Sequence, residues 1–363
     1  MSKLYYSLGL MSGTSMDGVD ASIIQSDGER KYKVIVDKYF EYPQNFYKKL
    51  TKIRGKIKNS RDLKKFSKKL KILENEITLF HAKISNKIIK QSKLNINFIG
   101  FHGQTIFHKA KENISVQLGD GKQLSKLTKK TVIYDFRRND LKNGGEGAPL
   151  APIFHKLLMK QNKINLPATI INIGGIANFT VVGTDSLISN DIGPGNCLID
   201  EWIRNNSNKK YDEEGKIASA GNIKKEFIFR ASDKKHLTTS SSYSYDIKDF
   251  DLSLFNSLSF KDGAATITEY TAEMIKESIN SILNPGVILI SGGGRKNKFL
   301  INRINKKIKK KVKLIDELGV DGDFIESQAF AFLAIRSYLN LPISFPSTTG
   351  VNKACTGGKI INN

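Results

Sequence analysis

The chain has 363 residues, 39% hydrophobic and 26% charged, with 58 Lys+Arg against 35 Asp+Glu for a formal net charge of +23. That balance supports a packed core over about two domains and argues against global disorder. Only two cysteines, Cys197 and Cys355, are present, which excludes a disulfide scaffold and a cysteine-based zinc cluster.

The N-terminal strand is expected at Tyr5–Leu10, followed by a small-residue turn at Ser12–Gly18 and two more strands at Val19–Gln25 and Tyr32–Phe40. Leu63, Phe66, Leu70, Leu73, Ile77, Phe80, Ile84 and Ile88 recur at helical spacing, so a long helix comes next. Asn97–Phe101 reads as a short buried strand ending in His102-Gly103-Gln104-Thr105, with further strands at Ser115–Leu118 and Thr131–Tyr134. Gly144-Gly145-Glu146-Gly147-Ala148-Pro149 marks a flexible crossing before a helix at Ala151–Gln161. Strand logic then restarts at Ala168–Ile173, Asn178–Val182 and Leu187–Ser189. A second small-residue turn, Asp191–Asn196, opens a helix through Trp202. Residues 205–260 are polar and resist assignment, with a serine run at Ser240–Ser242. An amphipathic helix at Ala264–Leu283, a buried strand at Val287–Ile290, a basic helix at 296–310, a strand at Val312–Ile315 and an apolar helix at Glu326–Leu339 complete the order. Adjacent strands followed by alternating helices, twice over, predict two similar mixed α/β domains with a cleft between them.

The charge is concentrated. Residues 48–93 carry a net +13 and residues 299–313 a net +7, and both segments are expected as lysine-rich surface helices away from the glycine-rich turns. Lysine supplies 48 of the cations and arginine 10, a bias that disfavours sequence-reading of nucleic acid. No uninterrupted apolar run reaches membrane-spanning length and the first ten residues lack a secretory pattern, so a soluble cytoplasmic protein is expected. The histidines show no metal-ligand spacing.

Three strand-to-turn junctions share one chemistry. Glycine lets a backbone approach a polyphosphate closely, and amide N–H groups supply fixed partial positive charge. The first is Gly13-Thr14-Ser15-Met16-Asp17-Gly18-Val19-Asp20, where the Ser12, Thr14 and Ser15 hydroxyls can add donors. Its alternative is a β-hairpin whose Asp-Gly turn merely joins two strands. Asp17 and Asp20 suit such a turn only if a divalent cation bridges them to phosphate, which points to Mg²⁺ near Asp17. The second turn offers Gly193, Gly195 and Asn196, and the third Gly292, Gly293 and Gly294. No P-loop, dinucleotide fingerprint or protein-kinase signature is present.

Gly9-Leu10-Met11-Ser12-Gly13-Thr14-Ser15-Met16-Asp17-Gly18-Val19-Asp20 closely resembles the opening motif of the anhydro-N-acetylmuramic acid kinases. The His102–Thr105, Asp135-Phe136-Arg137-Arg138, Gly144–Leu150, Asn172–Asn178, Asp191–Asn196, Ser291–Gly294 and Glu326–Ala331 segments resemble the same family in the same order. The resemblance implies a two-lobed actin/hexokinase-like fold, a duplicated ribonuclease H-like arrangement, with ATP between the lobes. Lobe 1 is expected over 1–135 with 340–363 returning to it, and lobe 2 over 136–339. It also implies ATP-dependent opening of 1,6-anhydro-N-acetylmuramic acid and phosphorylation at O6 in peptidoglycan recycling, by a homodimer with no nucleic-acid or membrane partner.

Within that reading Asp191 is the candidate base for the water that attacks C1, against the alternative of a helix cap. Glu326 is a second carboxylate candidate, against that of a first-turn helix acid. His102, Gln104, Thr105 and Gly147 are candidate sugar contacts. Arg137 and Arg138 are candidates for the lactyl carboxylate through a bidentate pair, against a surface salt bridge.

Overall fold

The computed structural model describes residues 3–233 and 244–363; the serine run Ser240–Ser242 lies outside them. The described residues contain twelve strands: β1 Tyr5–Ser12, β2 Gly18–Ser26, β3 Tyr32–Glu41, β4 Phe98–Lys109, β5 Ile114–Leu118, β6 Thr131–Tyr134, β7 Ala168–Ile173, β8 Ile176–Val182, β9 Leu187–Pro194, β10 Val287–Ser291, β11 Val312–Leu314 and β12 Lys359–Ile361. The chain divides into two compact units, Met1–Gln161 with Phe324–Asn363, and Asn162–Asp323.

The first unit holds the sheet β12-β6-β4-β1-β2-β3, with β5 pairing β4. β3, β2 and β1 run antiparallel, whereas β1, β4 and β6 run parallel. The second unit repeats the scheme as β9-β8-β7-β10-β11, antiparallel through β9, β8 and β7, then parallel to β10 and β11. One strand order and one pattern of directions, used twice, make the duplicated α/β fold expected for an actin/hexokinase-like chain.

Alternation along β1 builds two cores from one strand. Leu8 and Leu10 pack on one face with Ile77, Ile84 and Phe101. Tyr5 and Met11 pack on the other with Phe330, Leu333 and Ile335 of the helix Ile325–Tyr338. Two strand glycines admit that helix. A Cβ on Gly9 would lie 1.9 Å from the Ser327 carbonyl oxygen, and one on Gly100 would lie 2.2 Å from that of Phe330. The second unit closes around Trp202, Phe255, Tyr270 and Ile290.

Several boundaries differ from the sequence expectation. The basic helical region is three helices, Gln44–Lys56, Ser60–Lys65 and Ser67–Ser92, separated at Asn59, which forms a capping box with Asp62, and at Phe66. β4 runs on through His102–Thr105, because β5 pairs with its far half. β9 continues past Ser189 to Pro194, because β8 pairs with it that far. The units part at Gln161 and Asp323, rather than at 135 and 339. Phe154 of the helix Pro152–Gln161 packs at a tilt against Phe332, and the helix Ile325–Tyr338 fills the first sheet's core, so both helices belong to the first unit.

The basic segments also differ from a plain solvated surface. Arg54 is buried against the first turn. Arg303 and Lys307 pair with Glu269 of the helix Phe260–Ser281, and Lys307 also with Glu273.

Candidate active site

The first turn is the β1–β2 hairpin, in register to Met11 opposite Asp20. Its chain reversal is set by Met16, which has φ 58° and a side chain 1% exposed in the core. A left-handed non-glycine residue is strained unless its surroundings fix it, and here burial does so. Val19 is buried as well, so neither Met16 nor Val19 offers its side chain to a ligand.

The carbonyls of the turn point into the protein. Gly13 O accepts from Gln104 Nε2 at 2.9 Å, Thr14 O from Arg54 Nη1 at 3.0 Å and Asp17 O from the Tyr42 amide at 2.8 Å. Thr14 and Ser15 are exposed, and their amides have no hydrogen-bond partner among the described residues. The hydroxyls divide differently from the sequence expectation. Ser15 donates to Asp17 Oδ1 at 2.5 Å, and buried Ser12 lies 2.9 Å from the Tyr42 hydroxyl and 3.3 Å from His81 Nε2. Thr14 therefore keeps the available hydroxyl, while Ser12 and Ser15 are committed to the scaffold.

A second cluster in the same unit gathers His102, Arg137 and Gly147. The His102 ring packs at a tilt against Phe330, and its Nδ1 lies 2.8 Å from Gly103 O. Arg137 Nε donates to His102 Nε2 at 3.1 Å, and Arg137 Nη1 to Gly147 O at 3.3 Å. Burial, and then the adjacent Arg137 guanidinium, push the His102 pKa well below its ordinary value. The ring is thus neutral, with Nδ1–H donating and Nε2 accepting. Arg138 has other company. It is half-exposed and pairs with Asp135 at 3.4 Å, the surface salt bridge weighed as its alternative. Thr105 accepts from Gln117 Nε2 at 3.3 Å.

Sequence reasoning missed three supports of these clusters. Buried Asp140 accepts from the Gly147 amide at 2.6 Å and from Thr349 Oγ1 at 2.5 Å, fixing the Gly147 loop. His108 sits beside that loop, its pKa lowered to about 3 by burial and then by Arg137. Arg54 is the third, and its one signal was arginine scarcity in a lysine-rich chain.

In the second unit Asp191 lies within β9 opposite Asn178, half-buried, with Oδ2 accepting from the Tyr245 amide at 2.9 Å. It is a strand residue, not a cap: the helix Cys197–Asn206 is preceded by Asn196, which makes no side-chain cap bond. Two of the amides expected to cradle phosphate at this turn, those of Gly195 and Asn196, are already used. Gly195 and Cys197 donate to Gly175 O, and Asn196 to Gly174 O, at 2.8–3.1 Å. This turn braces the β7–β8 hairpin instead.

The third turn is part packing and part opening. Gly292 has φ 78°, and a Cβ there would lie 2.5 Å from Asn172 Oδ1. On Gly294 it would lie 2.3 Å from the Ile173 side chain. Gly293 is exposed, and its Cβ would meet nothing closer than 4.0 Å. Gly292 and Gly294 answer to close packing, and Gly293 leaves a strip of bare main chain. Arg295 locks the turn with bonds to Asp316, Asp321 and Asp323.

Glu326 occupies the first turn of the helix Ile325–Tyr338, half-buried in the first unit. Among the described residues no three His, Cys, Asp or Glu side chains gather into a metal-holding group. Mg²⁺ requires no such cage when phosphate and water supply most of its ligands. The half-buried Asp17 carboxylate at the turn's edge fits as a single hard oxygen donor.

Residues 5–363 match the family model described as anhydro-N-acetylmuramic acid kinase. The chain belongs to that family. The anhydro-N-acetylmuramic acid kinase of Pelagibacter ubique is 52% identical over 374 residues, covering 100% of both chains. That of Zymomonas mobilis is 37% identical, covering 97% of this chain and 98% of its own. Among solved structures, component A of the (R)-2-hydroxyglutaryl-CoA dehydratase of Acidaminococcus fermentans is 12% identical with a TM-score of 0.48, covering 92% and 99%. For this member of the anhydro-N-acetylmuramic acid kinases the fold rests on the repeated sheet order and the family on the sequence match.

Proposed function

We infer that this chain is an ATP-dependent anhydro-N-acetylmuramic acid kinase acting in peptidoglycan recycling. It opens the anhydro bridge of 1,6-anhydro-N-acetylmuramic acid and yields N-acetylmuramic acid 6-phosphate and ADP. The match over residues 5–363 carries this reading, and full-length identity to curated relatives supports it. A water oxygen bonds to C1 and the C1–O6 bond breaks. O6 takes the γ-phosphoryl group, and Asp191 accepts the water proton. Glu326 is the second carboxylate, assisting the sugar or the water.

Phosphoryl transfer depends mainly on positioning and charge neutralisation. The amides of Thr14 and Ser15 and the Thr14 hydroxyl suit phosphate oxygens, and the bare strip at Gly293 suits the nucleotide. Mg²⁺ held by Asp17 would supply further neutralisation of phosphate charge. Arg137, oriented by His102 and the Gly147 carbonyl, suits the lactyl carboxylate, and Thr105 of β4 is a further candidate sugar contact. The same reading includes a homodimer in the cytoplasm, where ATP is available. Among the described residues no helix is long and apolar enough to cross a membrane.

Reaction in ¹⁸O-water tests the chemistry. Label is expected at C1 of a 6-phosphorylated product, and Asp191→Asn is expected to reduce turnover by about 10²-fold or more. A phosphorylated product without label at C1, or an Asp191→Asn variant near wild-type activity, would overturn the mechanism.

A further inference from the structure

We propose that Arg54 and Gln104 are positioning residues for the nucleotide's polyphosphate, acting from behind the first turn on the direction of its amides. The inference rests on the reading that phosphate docks at this turn.

A trans peptide is planar, so its carbonyl and the next amide N–H point in opposite directions. Gln104 Nε2 at 2.9 Å, together with the Met16 amide at 3.2 Å, holds the Gly13 carbonyl inward, which turns the Thr14 N–H outward. Arg54 Nη1 draws the Thr14 carbonyl inward at 3.0 Å, which turns the Ser15 N–H outward. These are the two amides without a partner among the described residues. With either peptide reversed, a carbonyl oxygen would face a phosphate oxygen and repel it.

Both hooks are rigid. Gln104 is fully buried on β4, and Arg54 is 7% exposed on the helix Gln44–Lys56. Among the described residues Gln104 Oε1 has no hydrogen-bond partner, so there this amide is held for its single bond to Gly13 at the expense of its other end. The base of the hairpin is fixed as well. Tyr42 hydroxyl, Ser12 hydroxyl and His81 Nε2 form a buried chain, closed by His81 Nδ1 at 2.8 Å from Ile77 O. Burial lowers the His81 pKa to about 4, so the ring is neutral, with Nδ1–H donating and Nε2 accepting. Arg54 also sets a guanidinium charge under the peptide that presents the Ser15 amide, which favours an anion there.

The test separates phosphate affinity from nucleoside affinity. Arg54→Met and Gln104→Met keep most of the side-chain volume and remove the donors. Each is expected to weaken ATP binding about tenfold, the scale of a lost charge-assisted contact, while adenosine binding stays at the wild-type value. Arg54→Lys, which keeps the charge and a donor, is expected to recover part of the loss. In ¹⁵N-labelled wild type, ATP is expected to shift the Thr14 and Ser15 amide resonances and adenosine to leave them in place. Variants that bind ATP as wild type does, or that lose ATP and adenosine affinity by the same factor, would overturn the positioning role. Wild-type amides that ignore ATP would instead overturn phosphate docking at this turn.

Discussion

Arg137 and Arg138 are neighbours in the chain with different company. Arg137 reaches His102 and the Gly147 carbonyl, whereas Arg138 is half-exposed beside Asp135. The pair follows β6, and Arg137 precedes the short helix Arg138–Lys142, so successive side chains leave in different directions. A role in holding the sugar's carboxylate therefore belongs to Arg137. Arg137→Ala is expected to raise KM for the anhydro sugar by about 10²-fold, the scale of a lost bidentate charge contact. Arg138→Ala is expected to change it less than about threefold, as for an exposed ion pair. Steady-state kinetics on the two variants decides, and the reverse ranking would remove Arg137 from the site. The adjacent arginines were visible in the sequence, but their divergence depends on a histidine 35 residues upstream.

At the scale of elements, the sheets were largely legible because β-branched apolar runs such as Ala168–Ile173 bound them closely. Strand continuations were not. β4 and β9 lengthen through polar, glycine-containing stretches because a neighbouring strand supplies partners, and pairing overrides local propensity. The glycine-rich turns were legible as turns, but their uses were not. Amides at Gly195–Cys197 are consumed by carbonyls some twenty residues away, and the Thr14 carbonyl is held by an arginine 40 residues away.

The packing role of Gly9 and Gly100 gave no sequence signal either, since its reason is the helix Ile325–Tyr338 lying on them. Gly100→Ala is expected to destabilise the protein by about 3 kcal/mol through overpacking, lowering Tm by several degrees. Gly55→Ala is the control. Nothing lies within 4 Å of a Cβ there, and alanine favours the helix Gln44–Lys56 by about 1 kcal/mol. A Gly100→Ala protein as stable as wild type would contradict the seating of that helix.

At the scale of the whole molecule, His81, His102, His108 and His155 are all largely buried and all titrate below the ordinary value of 6.5. Burial lowers His81 and His155 to about 4 and, with Arg137, His108 to about 3. The unfolded chain takes up these protons below about pH 6.5, and the folded chain does not until much lower pH. Their contribution is complete above the unfolded value and is lost as pH falls toward the folded values. The urea midpoint is expected to drop steadily from pH 6.5 to 5, above the range where ordinary carboxylates titrate. A midpoint flat over that interval would contradict the neutral, buried state of these rings.

The helix Ile325–Tyr338 also sets an order of events during synthesis. Chain Asn162–Asp323 is continuous, so the second unit has all its strands and its core once Asp323 has left the ribosome. The first unit at that moment has β1 to β6 but lacks the helix that covers Tyr5, Met11 and Phe98. Through the making of some 160 intervening residues that face of its sheet lacks Phe330, Leu333 and Ile335, the larger part of its cover. The unit begun first is finished last, and the interval before the helix arrives is when a nascent chain has most need of a chaperone.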